Sequence, residues 1–184
     1  MNLKTPNPIS TITNITALIW AFIILAVNPD PLASVVAFLL VALAWTSGGF
    51  HFMENNDTFT KDQQRFWQKA DVISIYALLC CTIVYLLGNP LLLPVFALAA
   101  GLLASLHKKF DSFLIIGVLF VFILTILAMN NLLITGIVFI LFATAFALRQ
   151  FGETTTKHDL FHGAWHLLSH SAIGLIAILP GGFN

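Results

Sequence analysis

Charge is what this sequence has least of. Only 9% of its 184 residues are Asp, Glu, Lys or Arg, against about a quarter in soluble domains. A water-facing surface cannot be assembled from so few, which excludes a soluble globular enzyme. The eight basic residues are matched by eight acidic ones, so no positive excess is available to neutralise phosphates, and no nucleic-acid partner is expected. Cysteine is scarce as well. Cys80 and Cys81 are adjacent and cannot close a structural disulfide with one another at ordinary geometry, so cysteine carries no information about compartment. Period-two alternation is missing too, and backbone exposed to lipid must satisfy its own hydrogen bonds, so helices are the required elements.

What the chain does have is apolar text: 59% of it is hydrophobic and its mean hydropathy is +0.94. A helix needs about 20 apolar residues to cross a bilayer. Dividing the chain wherever charges, Asn or Pro interrupt gives seven spans, near 9–27, 32–53, 70–87, 90–106, 112–129, 132–148 and 159–179. The fourth and sixth are short enough to imply little tilt. The first is read as a span rather than a cleaved signal, because six runs of similar length follow it and one basic residue precedes it. Asn28-Pro29-Asp30-Pro31, Gly88-Asn89-Pro90 and Asn130-Asn131 read as tight turns between antiparallel neighbours. The expectation is an all-α fold: residues 1–184 as one seven-transmembrane-helix domain of a multi-pass integral membrane protein, housed in the cytoplasmic membrane if the source is bacterial.

Orientation follows from the basic residues. Lys4 precedes the first span. Lys61, Arg65 and Lys69 lie between the second and third, Lys108 and Lys109 after the fourth, and Arg149 and Lys157 between the sixth and seventh. With seven spans all eight fall on one side, so the positive-inside rule puts the N-terminus in the cytoplasm and the C-terminus outside.

An ionisable group inside a span costs at least a few kcal/mol, so those present are the functional candidates. Ser47 and His51 in "SGGFH" share one face of the second span, four residues apart. Asp71 opens the third span, and the seventh reads "KHDLFHGAWHLLSHSAIG", with His158, His162, His166 and His170 at intervals of four. The second span runs inward while the third and seventh run outward, so His51, Asp71, His162 and His166 all lie within a few turns of the cytoplasmic surface. Three imidazoles with a carboxylate and a hydroxyl nearby suit Zn²⁺, leaving the fourth tetrahedral position open to water. His162 and His166 form an i, i+4 pair that His51 completes, while Asp71 and Ser47 would hold the water. Zinc brings that water's pKa toward about 7 and polarises a carbonyl, so an amide or ester can be hydrolysed at neutral pH.

Bland roles exist for each residue singly. A buried His or Ser in a helix bundle is ordinarily a satisfied interhelical hydrogen bond, but scattered structural histidines have no reason to agree in depth and face. His158 beside Lys157 reads as interfacial, His107 as a solvated loop residue, and His170, about 12 Å of helix beyond His162, as a packing or supporting group. Asp159 reads as a cap on the start of its own span. The Phe-rich fifth and sixth spans read as lipid-facing or packing surface, and Trp20, Trp45 and Trp67 as interfacial or packing residues.

Ser47-xxx-His51, Asp71 and His162-Gly-Ala-Trp-His166 together resemble the signature of the CREST superfamily of seven-span membrane hydrolases. That superfamily includes alkaline ceramidases, the progestin and adipoQ receptors with bacterial hemolysin III relatives, and GPI-remodelling membrane proteins. "HGAWHLLS" is most similar to the alkaline ceramidase form. The resemblance, carried by spans two, three and seven, implies zinc ligands His51, His162 and His166, with Asp71 and Ser47 contacting the zinc-bound water. Alkaline ceramidases carry an acidic, Trp-containing N-terminal segment that binds calcium, whereas the first acid here is Asp30, on the opposite side. Their N-terminus is outside, while the charges here argue for inside, as in the adipoQ-type receptors. "HDLFH" from His158 to His162 also resembles the final-span motif of the receptor branch, which leaves those two as an alternative pair.

The leading functional expectation is a zinc-dependent hydrolase of sphingolipid metabolism that cleaves a ceramide-like lipid amide, its substrate entering sideways from the bilayer. The alternative is a non-catalytic receptor or metal-handling protein with a structural zinc. A transporter should carry polar groups along its whole pore, yet spans one, four, five and six contain no ionisable residue, which favours a single closed site.

Overall fold

The computed structural model describes residues 7–54, 58–106, 112–153 and 157–179, and among these no strand occurs. His107, Lys4, Lys108 and Lys109 lie outside the described residues. The elements are α1 (Pro8–Thr13), α2 (Ile15–Val27), α3 (Pro31–Met53), α4 (Lys61–Leu87), α5 (Leu93–Leu106), α6 (Ser112–Ala128), α7 (Leu132–Glu153) and α8 (His158–Ile178), with a 3₁₀ turn, Pro90–Leu92, leading into α5. Only Asn14 separates α1 from α2, and its φ of −62° and ψ of −16° are themselves helical, so the two form one rod.

Among the described residues, four helices are long and apolar enough to cross a membrane: Pro8–Val27, Pro31–Met53, Lys61–Leu87 and Leu132–Gly152. Pro90–Leu106 and Ile115–Ala128 are shorter apolar helices. Large apolar side chains cover the exterior; Phe38, Trp45 and Leu98 are at least 70% exposed. Leaving such a side chain in water forgoes about 1.5–3 kcal/mol, so this exterior matches a lipid environment.

The turn residues act as the sequence implies. Asp30 Oδ1 accepts from Leu32 N at 2.8 Å, Asn89 Oδ1 from Leu91 N at 3.1 Å and Asn131 Oδ1 from Ile134 N at 3.1 Å, each occupying a donor that a helix start leaves unpaired. Two helices are longer than the apolar text. α4 begins at Lys61 rather than near residue 70, because Thr60 and Gln63 close a reciprocal capping box: Gln63 N donates to Thr60 Oγ1 at 3.2 Å and Thr60 N to Gln63 Oε1 at 2.8 Å. Asp71 therefore sits about 15 Å along α4 instead of opening it. α7 continues past residue 148 to Glu153, which makes Arg149 a helical residue. Dividing a sequence at its charges misplaces such ends, since a helix passes from polar to apolar surroundings without a break.

α4 is the central helix, contacting α3, α5, α6 and α8, with Tyr76, Ile83, Val84 and Tyr85 essentially fully buried. At one end of the bundle Asn28 Nδ2 donates to Tyr85 Oη at 2.8 Å and to Ala177 O at 2.9 Å, and the Tyr85 hydroxyl donates to Leu179 O. This knot joins the ends of α2, α4 and α8. At the other end Asp159 does not cap α8, contrary to expectation. Its carboxylate accepts from Ile9 N at 2.9 Å, Ser10 N at 2.8 Å and Ser10 Oγ at 2.6 Å, so it caps α1 from a distant part of the chain. Those first-turn N–H groups have no partner within α1, and a carboxylate is the strongest acceptor available to a helix start.

Of the tryptophans, Trp45 is exposed while Trp20 and Trp67 pack between helices. Trp20 donates to Ser171 Oγ at 3.1 Å, and its indole lies flat against Gly174, leaving no room for a β-carbon. Between α6 and α7, Phe120 and Phe142 stack with ring centroids 3.6 Å apart. The α2–α8 contact yields a prediction. Gly174→Ala should destabilise the protein by about 1–3 kcal/mol, as overpacking of a dense interior does, whereas Gly136→Ala on α7, where nothing lies within 4 Å of the added atom, should be neutral or slightly stabilising. Thermal unfolding in detergent measures both; equal melting temperatures would contradict the close packing.

Candidate metal centre

Two helices supply three imidazoles. His51 lies in the last turn of α3, on the same face as Ser47; His162 and His166 lie in the first turns of α8. All three are buried, at 3%, 7% and 2% exposure. His51 Nε2 is 3.2 Å from His162 Nε2 and 3.1 Å from His166 Nε2, and one ring nitrogen from each residue lies within 4.8 Å of the others. Zn–N bonds of about 2.0–2.1 Å in tetrahedral geometry place neighbouring nitrogens about 3.3 Å apart, so the two spacings to His51 are those an ion requires. Hydrogen bonding alone accounts poorly for it. Three neutral rings directing Nε2 at one point cannot each find both a donor and an acceptor there, and His162 Nδ1 and His166 Nδ1 are buried without partners. The residues present thus fit a metal ion.

Ser47 is fully buried and Asp71 is 8% exposed; the Ser47 hydroxyl lies beside the Asp71 carboxylate, and among the described residues Asp71 Oδ1 has no donor at ordinary hydrogen-bond geometry. Asp71, on α4, faces Ser47, His51 and Arg149. A buried carboxylate oxygen without a donor is costly and implies a ligand or water on its open side. That side is a cavity of about 130 Å³, lined by Gln68, Asp71, Arg149, His162, Trp165 and His166 among others. Beside it an apolar slot is walled by Leu43, Leu78, Leu79, Phe142 and Ile173. The two spaces share Ile75, Ile116, Trp165 and His166, so polar chemistry and apolar binding surface meet at the histidines.

The remaining histidines are placed differently. His158 is exposed, with its ring 5.4 Å from that of His162, and stands outside the cluster. His170 is buried, and its Nδ1 is 2.9 Å from Thr16 Oγ1 on α2. Sequence reasoning missed two residues. Arg149 falls between the sixth and seventh spans of the apolar text but lies in the cavity wall, with its guanidinium 4.9 Å from the centre of the Trp165 ring, so one polar wall comes from a helix whose apolar stretch has no ionisable group. Glu54 falls just past the apolar text of the second span, yet its Oε2 is 3.4 Å from His51 Nδ1. The i, i+3 spacing of His51 and Glu54 was the available signal.

The geometry predicts which histidines hold metal. His51→Ala, His162→Ala and His166→Ala should each strip zinc from the purified protein or greatly weaken its retention, whereas His158→Ala should keep it. Elemental analysis at equal protein concentration decides the matter; loss in His158→Ala with retention in His166→Ala would move the pair one turn along α8. Compared with protein-family models, with curated proteins and with solved structures, the chain finds no match.

Proposed function

We propose that this chain is a seven-span membrane hydrolase of the CREST type, using zinc held by His51, His162 and His166 to cleave the amide bond of a ceramide-like membrane lipid. The observation that carries this reading is the meeting of three imidazoles with the buried Ser47 hydroxyl and the Asp71 carboxylate, whose Oδ1 has no donor among the described residues, beside an apolar slot that His166 also lines. A purely structural zinc would be closed by four protein ligands, whereas three ligands with an acid beside the fourth position support a catalytic one.

Bound zinc supplies a Lewis acid and lowers the pKa of water at its open position. Asp71, which lines the same cavity as His162 and His166, would take a proton from water attacking the carbonyl carbon. Ser47 Oγ–H donates to the carbonyl oxygen as negative charge gathers there. As the C–N bond breaks, Asp71 returns the proton to the leaving nitrogen, so a free fatty acid and an amine are released. The apolar slot holds the acyl chain, and Trp165, which borders both spaces, separates chain from reacting group.

We place the N-terminus in the cytoplasm and the C-terminus outside. Among the described residues, seven helical rods, four of them long and apolar enough to cross, support this topology, as do basic residues confined to alternate connections. Cys80 and Cys81 are buried, so an Asn184→Cys variant can be labelled selectively. An impermeant thiol reagent should reach it in intact cells; labelling only after permeabilisation would reverse the orientation or change the number of spans.

Chemistry has its own test. Asp71→Asn should keep fold and zinc while slowing release of fatty acid from a long-chain N-acyl lipid by about 10²–10⁴-fold, the usual contribution of a positioned acid or base. Ser47→Ala should cost less, because the metal still polarises the carbonyl. Fatty-acid release from ceramide and from ester lipids in vesicles measures both. Unchanged hydrolysis by Asp71→Asn would remove its assigned role. Zinc-loaded wild type that releases nothing from any lipid class would favour a receptor or metal-handling protein instead.

A further inference from the structure

We infer that Glu54 and Asn7 form a positioning relay for the metal centre: Glu54 holds His51 through Nδ1, and Asn7, at the start of α1, holds Glu54. The inference rests on the metal-binding part of the reading above and is independent of the hydrolytic part. His51 turns Nε2 toward His162 and His166. For Nε2 to offer a lone pair to a metal, the ring proton must sit on Nδ1, and a carboxylate there selects that tautomer and makes the ring a better donor to the ion. Glu54 Oε2 is the group at that position, 3.4 Å away.

Glu54 needs an anchor of its own. It is the residue after the last of α3, its side chain is 32% exposed, and a half-exposed carboxylate swings away from its partner at little cost. Asn7 Nδ2 donates to the same Oε2 at 2.9 Å, across 47 positions of sequence. Asn7 is itself fixed. It precedes Pro8 at the N-cap of α1, and the first turn of α1 is bonded to Asp159, three residues before His162 on α8. Ile9 packs so closely on Gly163 that an added β-carbon would lie 2.7 Å from its methyl. The short helix α1 thus clasps both helices that carry the three imidazoles. His162 and His166 have no partner on Nδ1, so among the described residues the relay supports His51 alone of the three.

The experiment measures zinc affinity of the full-length protein in detergent by competition with a chelator, together with the visible spectrum of the cobalt-substituted form. Glu54→Ala should weaken zinc by about 10–100-fold, the usual effect of removing a ligand's supporting partner, and should shift the cobalt bands. Glu54→Gln should restore part of the affinity, because its carbonyl still accepts from Nδ1–H. Asn7→Ala should weaken zinc in the same direction by less. The double variant Asn7→Ala/Glu54→Ala should be no worse than Glu54→Ala, since Asn7 acts through Glu54. Asp62→Asn, which alters an exposed acid bridging Arg65, should match wild type. Zinc affinity and cobalt spectra of Glu54→Ala and Asn7→Ala equal to wild type would overturn the relay, and so would fully additive losses in the double variant. If Glu54→Ala fails to fold, Asn7→Ala and Glu54→Gln carry the test. Wild type without zinc affinity would sink the metal reading and the relay together, whereas wild type that binds zinc but hydrolyses no lipid would leave the relay to be judged on these affinities.

Discussion

Three imidazoles inside an apolar bundle, with His51 Nε2 little more than 3 Å from the Nε2 atoms of both His162 and His166, are the constraint around which the rest of the structure is arranged. In water such a cluster would be hydrated and held loosely. Buried, each ring must find a partner or leave a polar atom unsatisfied at a cost of about 1–3 kcal/mol. One cation at their centre accepts three lone pairs at once, which no arrangement of ring N–H groups achieves. The same burial that makes the cluster expensive without an ion makes it a strong site with one.

This constraint explains how polarity is distributed. The middle of the bundle is largely apolar, with Leu40 of α3, Ile83 of α4 and Ile176 of α8 fully buried, and the largest polar clusters lie at its two ends. One end holds the Asn28–Tyr85 knot, whose donors and acceptors are satisfied within the protein. The other holds the histidines, Ser47, Asp71 and Arg149, and there Asp71 Oδ1, His162 Nδ1 and His166 Nδ1 have no hydrogen-bond partner among the described residues. A satisfied polar cluster fixes helices relative to one another, whereas an unsatisfied one is kept for a ligand. The contrast between the two ends is the main structural reason for locating function at the second.

Much of this was legible in the sequence because helical periodicity is a local property. His162 and His166 must share a face at a spacing of four, as must Ser47 and His51, whatever surrounds them. The apolar runs likewise foretold where helices lie, to within a few residues at most ends. Longer α4 and α7 were not legible, since their extensions are polar and a boundary drawn at charges stops too soon. Arg149 was hidden for that reason. Asp159 was misassigned for another: a carboxylate at a helix start ordinarily serves its own helix, and nothing local reveals that α1 offers it better-placed donors.

The sequence by itself determined that the chain is helical and apolar, and which polar residues fall on which helical faces, because these follow from composition and a repeat of 3.6 residues. Only tertiary structure decided that α3 and α8 approach closely enough for their histidines to meet, and that α4 brings Asp71 to them from a third direction. It alone decided that His158 stays outside the cluster, and that Asn7 reaches across to Glu54. Each of these depends on how helices pack, on small residues such as Gly163 and Gly174 that let neighbours approach, and on bonds between groups more than forty residues apart. Packing of that kind is a property of surfaces in contact, which no single helix carries in its own sequence.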